Sequence, residues 1–405
     1  MTGLGILAAN GIGQRAFWRT LIAGESGIDR VTLFDASGLD CQIAGEVHGF
    51  DPGAYVLMVA KPKREARNTL LALAAASLAI EDAGLARPLP TSSRPVIVAM
   101  GVSTSSFDII EEGIRWQEEQ GLKSARHQII TSSGIQMPAN TIATQLGARS
   151  ETRTVATACA AGQDAIAQAA AILRSGRADV ALAGGSDAPI SGAPFANFCS
   201  LGMLSRRNDC PRRASRPFDL RRDGGVLAEG AAVVVLETLE HARYRGAVPY
   251  AELLGGATAM DMPGTTGNGL AASMRLAMDN AGVLAREIDH ISAHGPSDPV
   301  LDSSETAMIR AVFGLRAQRL PVSSIKGVTG NPLAAAGAMQ VVAACLALRH
   351  QVLPMTANYE HRDPTCDLDY VTEASRPAAV GRILVNNHGI SGGNSSLVIS
   401  RMEEP

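Results

Sequence analysis

Apolar and polar positions follow two alternating periods along the chain. Short, nearly continuous apolar runs recur at Pro95–Ser103 (PVIVAMGVS), Val180–Ala183 and Ile291–Ala293, and in LPVSS, RILVNN and SSLVIS further on. Each reads as a buried strand, several running into loops of small or polar residues. A short β-rich run at Thr154–Thr157 predicts another. Between them lie segments with helical spacing: Ala139–Gly147, an alanine-rich stretch from Ala160 to about Ser175, DSSETAMIRAVFG and AAGAMQVVAACLAL. Strand and helix alternate in both halves, so the pattern predicts a layered α/β fold with helices between sheets. The halves divide loosely near Glu240–Tyr250 with no low-complexity linker, which predicts one intertwined unit. The acidic segment Phe107–Gln120 reads as a solvated, partly mobile excursion.

The 405-residue length by itself predicts two or three domain-sized units. Apolar residues make up 46% and charged residues 19%, enough for a large core and against disorder. Aromatics are only 4%, and abundant Ala and Gly predict close helix packing. A net charge of −3 argues against a nucleic-acid or anionic-membrane surface. No apolar run reaches the roughly 20 residues of a membrane-spanning helix, and the N-terminus lacks signal-peptide regions. The six cysteines are scattered without CxxC spacing, so no zinc or disulfide framework is indicated. A reducing, cytoplasmic location is expected. Only four lysines occur (Lys61, Lys63, Lys123, Lys326), which singles out any lysine inside a motif.

Four places carry candidate chemistry. Cys159 lies in a sharp turn, Ala158-Cys159-Ala160, between a strand and the start of an apolar helix. A thiolate there faces unpaired backbone N–H groups and the positive helix end, so a lowered pKa and a nucleophilic role are expected. Most lone cysteines are small core hydrophobes, and the other five keep that reading. His294 follows a strand and precedes Gly295-Pro296-Ser297, at the edge where α/β folds bind ligands. Lys326 and Asn331 share the next strand-end loop, SSIKGVTGNP, with Glu305 the expected buried partner of Lys326; an ordinary surface ion pair is the alternative. The last loop, NNHGISGGNSS, has the composition of an oxyanion-binding turn.

TACAAG, then SAHG…DSSE, SSIKGVTGNPLAAAGA and NNHGISGGNSS, in that order, resemble the β-ketoacyl-ACP synthases of the thiolase superfamily. TGLGILAANGIGQRAFWRTLIAGESGI and SRPFDLRRDGGVLAEGAAVVVLETLEHARYRGA extend the resemblance over nearly the whole chain, and FDASGLDCQIAGEV is most similar to ketosynthases of type II polyketide and fatty-acid systems. The resemblance implies a thiolase-like five-layer αβαβα fold of two pseudo-symmetric halves, residues 1–245 with the nucleophilic cysteine and 246–405 with the His, Lys and Asn loops. It implies a dimer, either a homodimer or a heterodimer with a ketosynthase-like subunit, and an acyl carrier protein as partner. No metal or resident cofactor is implied; the phosphopantetheine arm arrives with the carrier protein. By position, Cys159 is the acyl acceptor, His294 the first catalytic histidine, and Lys326 with Glu305 orders the network. The N–H groups of Cys159 and Ile390 form the oxyanion hole, and Phe198 lines the acyl pocket.

The departures fall on the acceptor side. Asn331 stands where the family has its second catalytic histidine, and Pro296 and Asp298 replace two pantetheine-binding threonines. Gly225, His388 and Ile390 stand at three phenylalanine positions. Asn331 keeps a hydrogen-bond donor but carries no proton as imidazole does. Gly225 and Ile390 are expected to widen the acceptor side. Asp298 is expected to place a carboxylate near the pantetheine path, or to recruit a cationic or hydroxylated acceptor. Three readings follow: a condensing enzyme that acylates Cys159 and then joins a carrier-bound extender by decarboxylative Claisen condensation; an acyltransferase passing the acyl group to a non-malonyl nucleophile; and a silent chain-length-factor-like subunit, against which the retained Cys159 argues.

Overall fold

The computed structural model describes residues 1–55, 57, 61–86, 89, 94–104 and 106–402. Twelve strands form its two main sheets. The first holds β1 (Gly3–Ala8), β2 (Gly11–Ile12), β3 (Val96–Gly101), β4 (Ser150–Val155), β5 (Val180–Asp187) and β6 (Gly230–Glu237), in the order β2-β1-β6-β5-β3-β4. The second holds β7 (Glu252–Met260), β8 (His290–Ser292), β9 (Pro321–Ser323), β10 (Asp369–Tyr370), β11 (Arg382–His388) and β12 (Gly393–Ser400), in the order β10-β9-β8-β11-β12-β7. Each sheet is mixed. β3 runs parallel to β4 and β5, and β8 runs parallel to β9 and β11, while the strands toward the other edge are antiparallel.

Helix α1 (Arg67–Asp82) covers the outer face of the first sheet. Two helices, α3 (Ala161–Arg174) and α7 (Ala334–His350), pack against each other between the sheets. The outer face of the second sheet is covered by α5 (Asn268–Ala281), on which α6 (Pro299–Phe313) packs. The result is five layers, αβαβα, as the alternation and the resemblance imply. Because α7 has a sheet on each side, it is apolar all round, and Ala334–Leu348 is buried throughout. Its one polar interior residue, Gln340, is fully buried.

Two expectations are corrected here. The run Thr154–Thr157 is the end of a strand that begins at Ser150, and Thr157 already belongs to the turn. The acidic segment Phe107–Gln120 is largely solvated, as expected, but it is a regular helix, α2, with Ile109 and Gly113 buried, and not a loose excursion. Glu111 on α2 accepts from Ala193 N at 2.7 Å and Gly192 N at 3.2 Å, satisfying the free donors of α4 (Gly192–Ser200). Its acidity therefore includes a fixed capping role. Among the described residues no helix is long and apolar enough to cross a membrane.

Candidate functional site

The turn after β4 is tight enough to force Ala158 into the left-handed region, with φ 52°. That presents Cys159, 6% exposed, at the start of α3. Opposite it come three loops from the second half. The loop after β8 carries His294, that after β9 carries Lys326 and Asn331, and the β11–β12 turn carries Gly389 and Ile390. The last turn presses on the cysteine turn: a Cβ on Gly389 would lie 2.9 Å from the Thr157 carbonyl oxygen, so only glycine fits. A cavity of about 150 Å³ is lined by Cys159, His294, Asn331 and His388, with Phe198 and Ile390 also on its wall. Gly225, Pro296 and Asp298 border it. The site residues expected from sequence are thus brought to one place, except Glu305 and Lys326, which lie behind the wall.

Behind the cavity a hydrogen-bond relay fixes the imidazole of His294. Gln340 Nε2 donates to four oxygens, from Ser292 O and Oγ, Ala293 O and Asn386 O, at 2.9–3.2 Å. That leaves Gln340 Oε1 to accept from Asn387 Nδ2 at 2.8 Å. Asn387 Oδ1 therefore faces His294 Nδ1, at 3.1 Å, and must accept. The Asn387 contact places the proton of His294 on Nδ1 and leaves Nε2 with its lone pair, so the Lys326 ammonium, 3.2 Å from Nδ1, does not donate to that nitrogen. Gln340 and Asn387 were not singled out in the sequence. A lone glutamine inside the apolar run AAGAMQVVAACLAL is the signal that marks the first.

Lys326 and Glu305 do not form the expected ion pair. Glu305 accepts from His294 N at 2.9 Å and Gly295 N at 2.8 Å, while Lys326 Nζ donates to the His294 carbonyl oxygen and lies 3.2 Å from Nδ1. Backbone donors nearer than Lys326 take up the carboxylate. Both charged groups are buried, and burial pushes them in opposite directions. The Glu305 carboxyl is raised, opposed by its N–H donors; the Lys326 ammonium falls to about 8, opposed by Cys159 and Glu305. His294 is held well below its ordinary value by burial, then by the charge of Lys326 and by His388. Its imidazole is neutral.

The expected lowering at Cys159 is also overturned. Burial raises the thiol, and the opposing pull of Lys326 and of the Asn331 amide, 4.0 Å from Sγ, does not offset it. A dipole acts within one turn of a helix, whereas desolvation acts on the whole charged sulfur. The resting group is a neutral thiol beside a neutral imidazole, and a proton must move before the sulfur attacks.

The acceptor side differs from expectation at Gly225, and Asp298 has a second role there. Gly225 does not open space: a Cβ there would lie 2.9 Å from the Pro296 carbonyl oxygen, which fills the gap. Asp298 is the N-cap of α6, with Oδ1 accepting from Val300 N and Leu301 N at 2.9 Å each. Its Oδ1 is engaged with the helix, while the residue still lines the cavity as expected. A further unforeseen group, Asp187 at the end of β5, accepts from Ser103, Thr104 and Ala334 N. It ties the loop after β3 to the start of α7 beside Cys159.

Comparison with known proteins places the chain as a whole. Residues 1–242 match the beta-ketoacyl synthase N-terminal domain, and residues 248–360 match the C-terminal domain. A putative polyketide beta-ketoacyl synthase 1 of Streptomyces halstedii is 41% identical over 416 residues, covering 100% of this chain and 98% of its own. The solved ishigamide ketosynthase/chain length factor is similar with a TM-score of 0.93 and 32% identity, over 100% of this chain and 98% of that one. A type II polyketide ketosynthase solved with its acyl-carrier protein has a TM-score of 0.91 and 32% identity, over 99% and 98%.

Proposed function

The chain belongs to the beta-ketoacyl synthase family, and we propose that it takes an acyl group from a carrier-protein thioester onto Cys159 and then joins it to a carrier-bound extender by decarboxylative Claisen condensation. The observation that carries this reading is the meeting of Cys159, the basic Nε2 of His294 and the Asn331 amide in one cavity. In this reading His294 Nε2 takes the thiol proton as Sγ attacks the donor thioester. The N–H groups of Cys159 and Ile390 stabilise the oxyanion, and the pantetheine thiol leaves with the proton from His294. In the second half-reaction, loss of carbon dioxide from the extender yields a carbanion equivalent that attacks the acyl-Cys159 carbonyl; the carbon–sulfur bond breaks with its electron pair on Sγ, and a proton from solvent restores the thiol. His294 and Asn331 flank the extender's thioester oxygen there, with Asn331 donating from Nδ2.

An acyl carrier protein is the proposed partner, because a structural neighbour is a ketosynthase in complex with one. A neighbour that pairs a ketosynthase with a chain length factor supports a ketosynthase-like second subunit, and self-association is the simpler alternative. Polyketide or specialised fatty-acid synthesis is the proposed setting. The test is direct. The protein is incubated with an acyl-pantetheine thioester and then with malonyl-carrier protein, and Cys159 acylation and carbon dioxide release are followed. Absence of an adduct on Cys159 overturns the reading.

A further inference from the structure

His388 stands in the cavity at a position where the sequence resemblance leads one to expect phenylalanine, and its hydrogen bonds leave one ring nitrogen free. Its strand partner across β11 and β12 is Asn394. The amide of Asn394 is pinned by three acceptors: Asp261 Oδ1 at 2.8 Å, Gly392 O at 3.0 Å and Ala259 O at 3.3 Å all take Nδ2. Asn394 Oδ1 must therefore face His388 Nδ1, at 2.8 Å, and accept from it. The proton of His388 is fixed on Nδ1, and Nε2 keeps its lone pair with no partner among the described residues. Asp261, itself held by Gly267 N and Gly269 N at 2.7 and 2.8 Å, places Oδ2 3.9 Å from Nδ1. The ring meets that of His294 edge to face at 6.0 Å and lines the same cavity as Cys159.

Decarboxylative attack by an extender needs no group to remove a proton from the nucleophile. A nucleophile that carries its own N–H or O–H does. We propose that His388 is a general base that gives this site a further activity, transfer of the Cys159 acyl group to a small amine or alcohol. The proposal rests on acylation of Cys159 as read above. In the step, the acceptor's lone pair forms a bond to the thioester carbonyl carbon while its proton passes to His388 Nε2. The carbon–sulfur bond then breaks, its electron pair stays on Cys159 Sγ, and the proton from His388 restores the thiol. Acyl-thioester and H–X become acyl-X and free cysteine, with no other reactant. The cavity volume is comparable with one that takes a benzene ring, which suits a small acceptor.

The test uses the full-length protein preloaded with an acyl group on Cys159, freed of excess thioester, then given glycinamide as the amine probe. Intact mass reports loss of the acyl group, and chromatography reports the amide. Wild type is expected to form the amide, and H388G to form it about 100-fold more slowly. Added imidazole should restore the H388G rate, increasingly so with more basic imidazoles. H388Q, which keeps a donor for Asn394 without a basic nitrogen, should be as slow as H388G and guards against misfolding of the glycine variant. Amide formation at the wild-type rate in H388Q, no rescue by imidazole in H388G, or no amide from loaded wild type each overturns the proposal. A protein that never loads overturns the reading of Cys159, and this proposal with it, and is recognised by the missing adduct.

Discussion

Lys326 and Glu305 hold the same residue from two directions without pairing with each other. The ammonium donates to the carbonyl oxygen of His294, and the carboxylate accepts from its N–H at 2.9 Å. Two charges that are buried and 21 residues apart in sequence thus meet through one backbone unit. Their task is to set where His294 sits. The relay through Gln340 and Asn387 sets which of its nitrogens is basic.

Glu305→Gln tests this arrangement. A glutamine has one acceptor oxygen for two N–H donors, so one donor loses its partner and stability falls by about 1–3 kcal/mol. Breaking a buried ion pair would cost about 3–5 kcal/mol. Denaturant unfolding separates the two, and a loss in the higher range means that the carboxylate pairs with Lys326 after all.

Lys326 gives a pH-dependent signature. Its ammonium sits at about 8 in the fold against an ordinary value of 10.5. Between those values the unfolded chain binds more protons, so the contribution of this group to stability rises with pH there, and below about pH 8 the fold carries the full penalty. Lys326→Met removes that penalty. The stability of the variant relative to wild type should therefore fall by about 2–3 kcal/mol from pH 7.5 to 10.5. Unfolding curves at the two pH values check it; a constant difference means that Lys326 is not desolvated.

Only Cys159 is expected to be acylated. Cys41, Cys345 and Cys366 are buried away from the cavity, and burial holds the first two up at about 12. Intact mass after incubation with an acyl-thioester should show a single adduct, lost in Cys159→Ala. Since burial also raises the Cys159 thiol, alkylation of the resting enzyme by iodoacetamide should keep rising through pH 9. A plateau near neutrality contradicts a neutral resting thiol.

The mouth of the cavity is expected to answer structurally. Asp298→Ala removes the cap of α6 and should cost about 0.5–2 kcal/mol, with Asp298→Asn nearly neutral. Gly225→Ala drives a methyl against the Pro296 carbonyl and should destabilise by about 1–3 kcal/mol. Thermal melts of the three variants check both. An asparagine variant as weak as the alanine variant means that the charge, not the cap, matters.

Condensation with malonyl-carrier protein from fatty-acid synthesis is expected to be slower than about 1 s⁻¹, the low end for enzymes. Asn331 has no second imidazole to offer, and Pro296 and Asp298 bring no free hydroxyl. Asn331→His alone should not restore a typical rate, because those two positions still differ. Carbon dioxide release from the preloaded enzyme measures it, and a fast unmodified protein removes the significance of these departures.

The elements themselves were written locally. Nearly continuous apolar runs and helically spaced ones mark strands and helices without knowledge of their neighbours, and the strand-turn-helix around Cys159 marks the nucleophile in the same way. The family motifs then brought Asn331, His294 and the last loop into one reading. What lay beyond the sequence was set by contacts between residues far apart in the chain. Desolvation depends on what covers a group, so the raised Cys159 thiol and the lowered Lys326 ammonium appear only once the sheets close over them. Hydrogen bonds are exclusive, so Glu305 is claimed by two backbone donors and does not meet the partner its charge suggested, and one oxygen of Asp298 is claimed by a helix end. The bare pattern NNHGISGGNSS contains His388 and Asn394 but not the three oxygens that pin Asn394. Only the packed turn decides which nitrogen of His388 is free, because a tautomer is fixed by its partner, and that partner is fixed by its own.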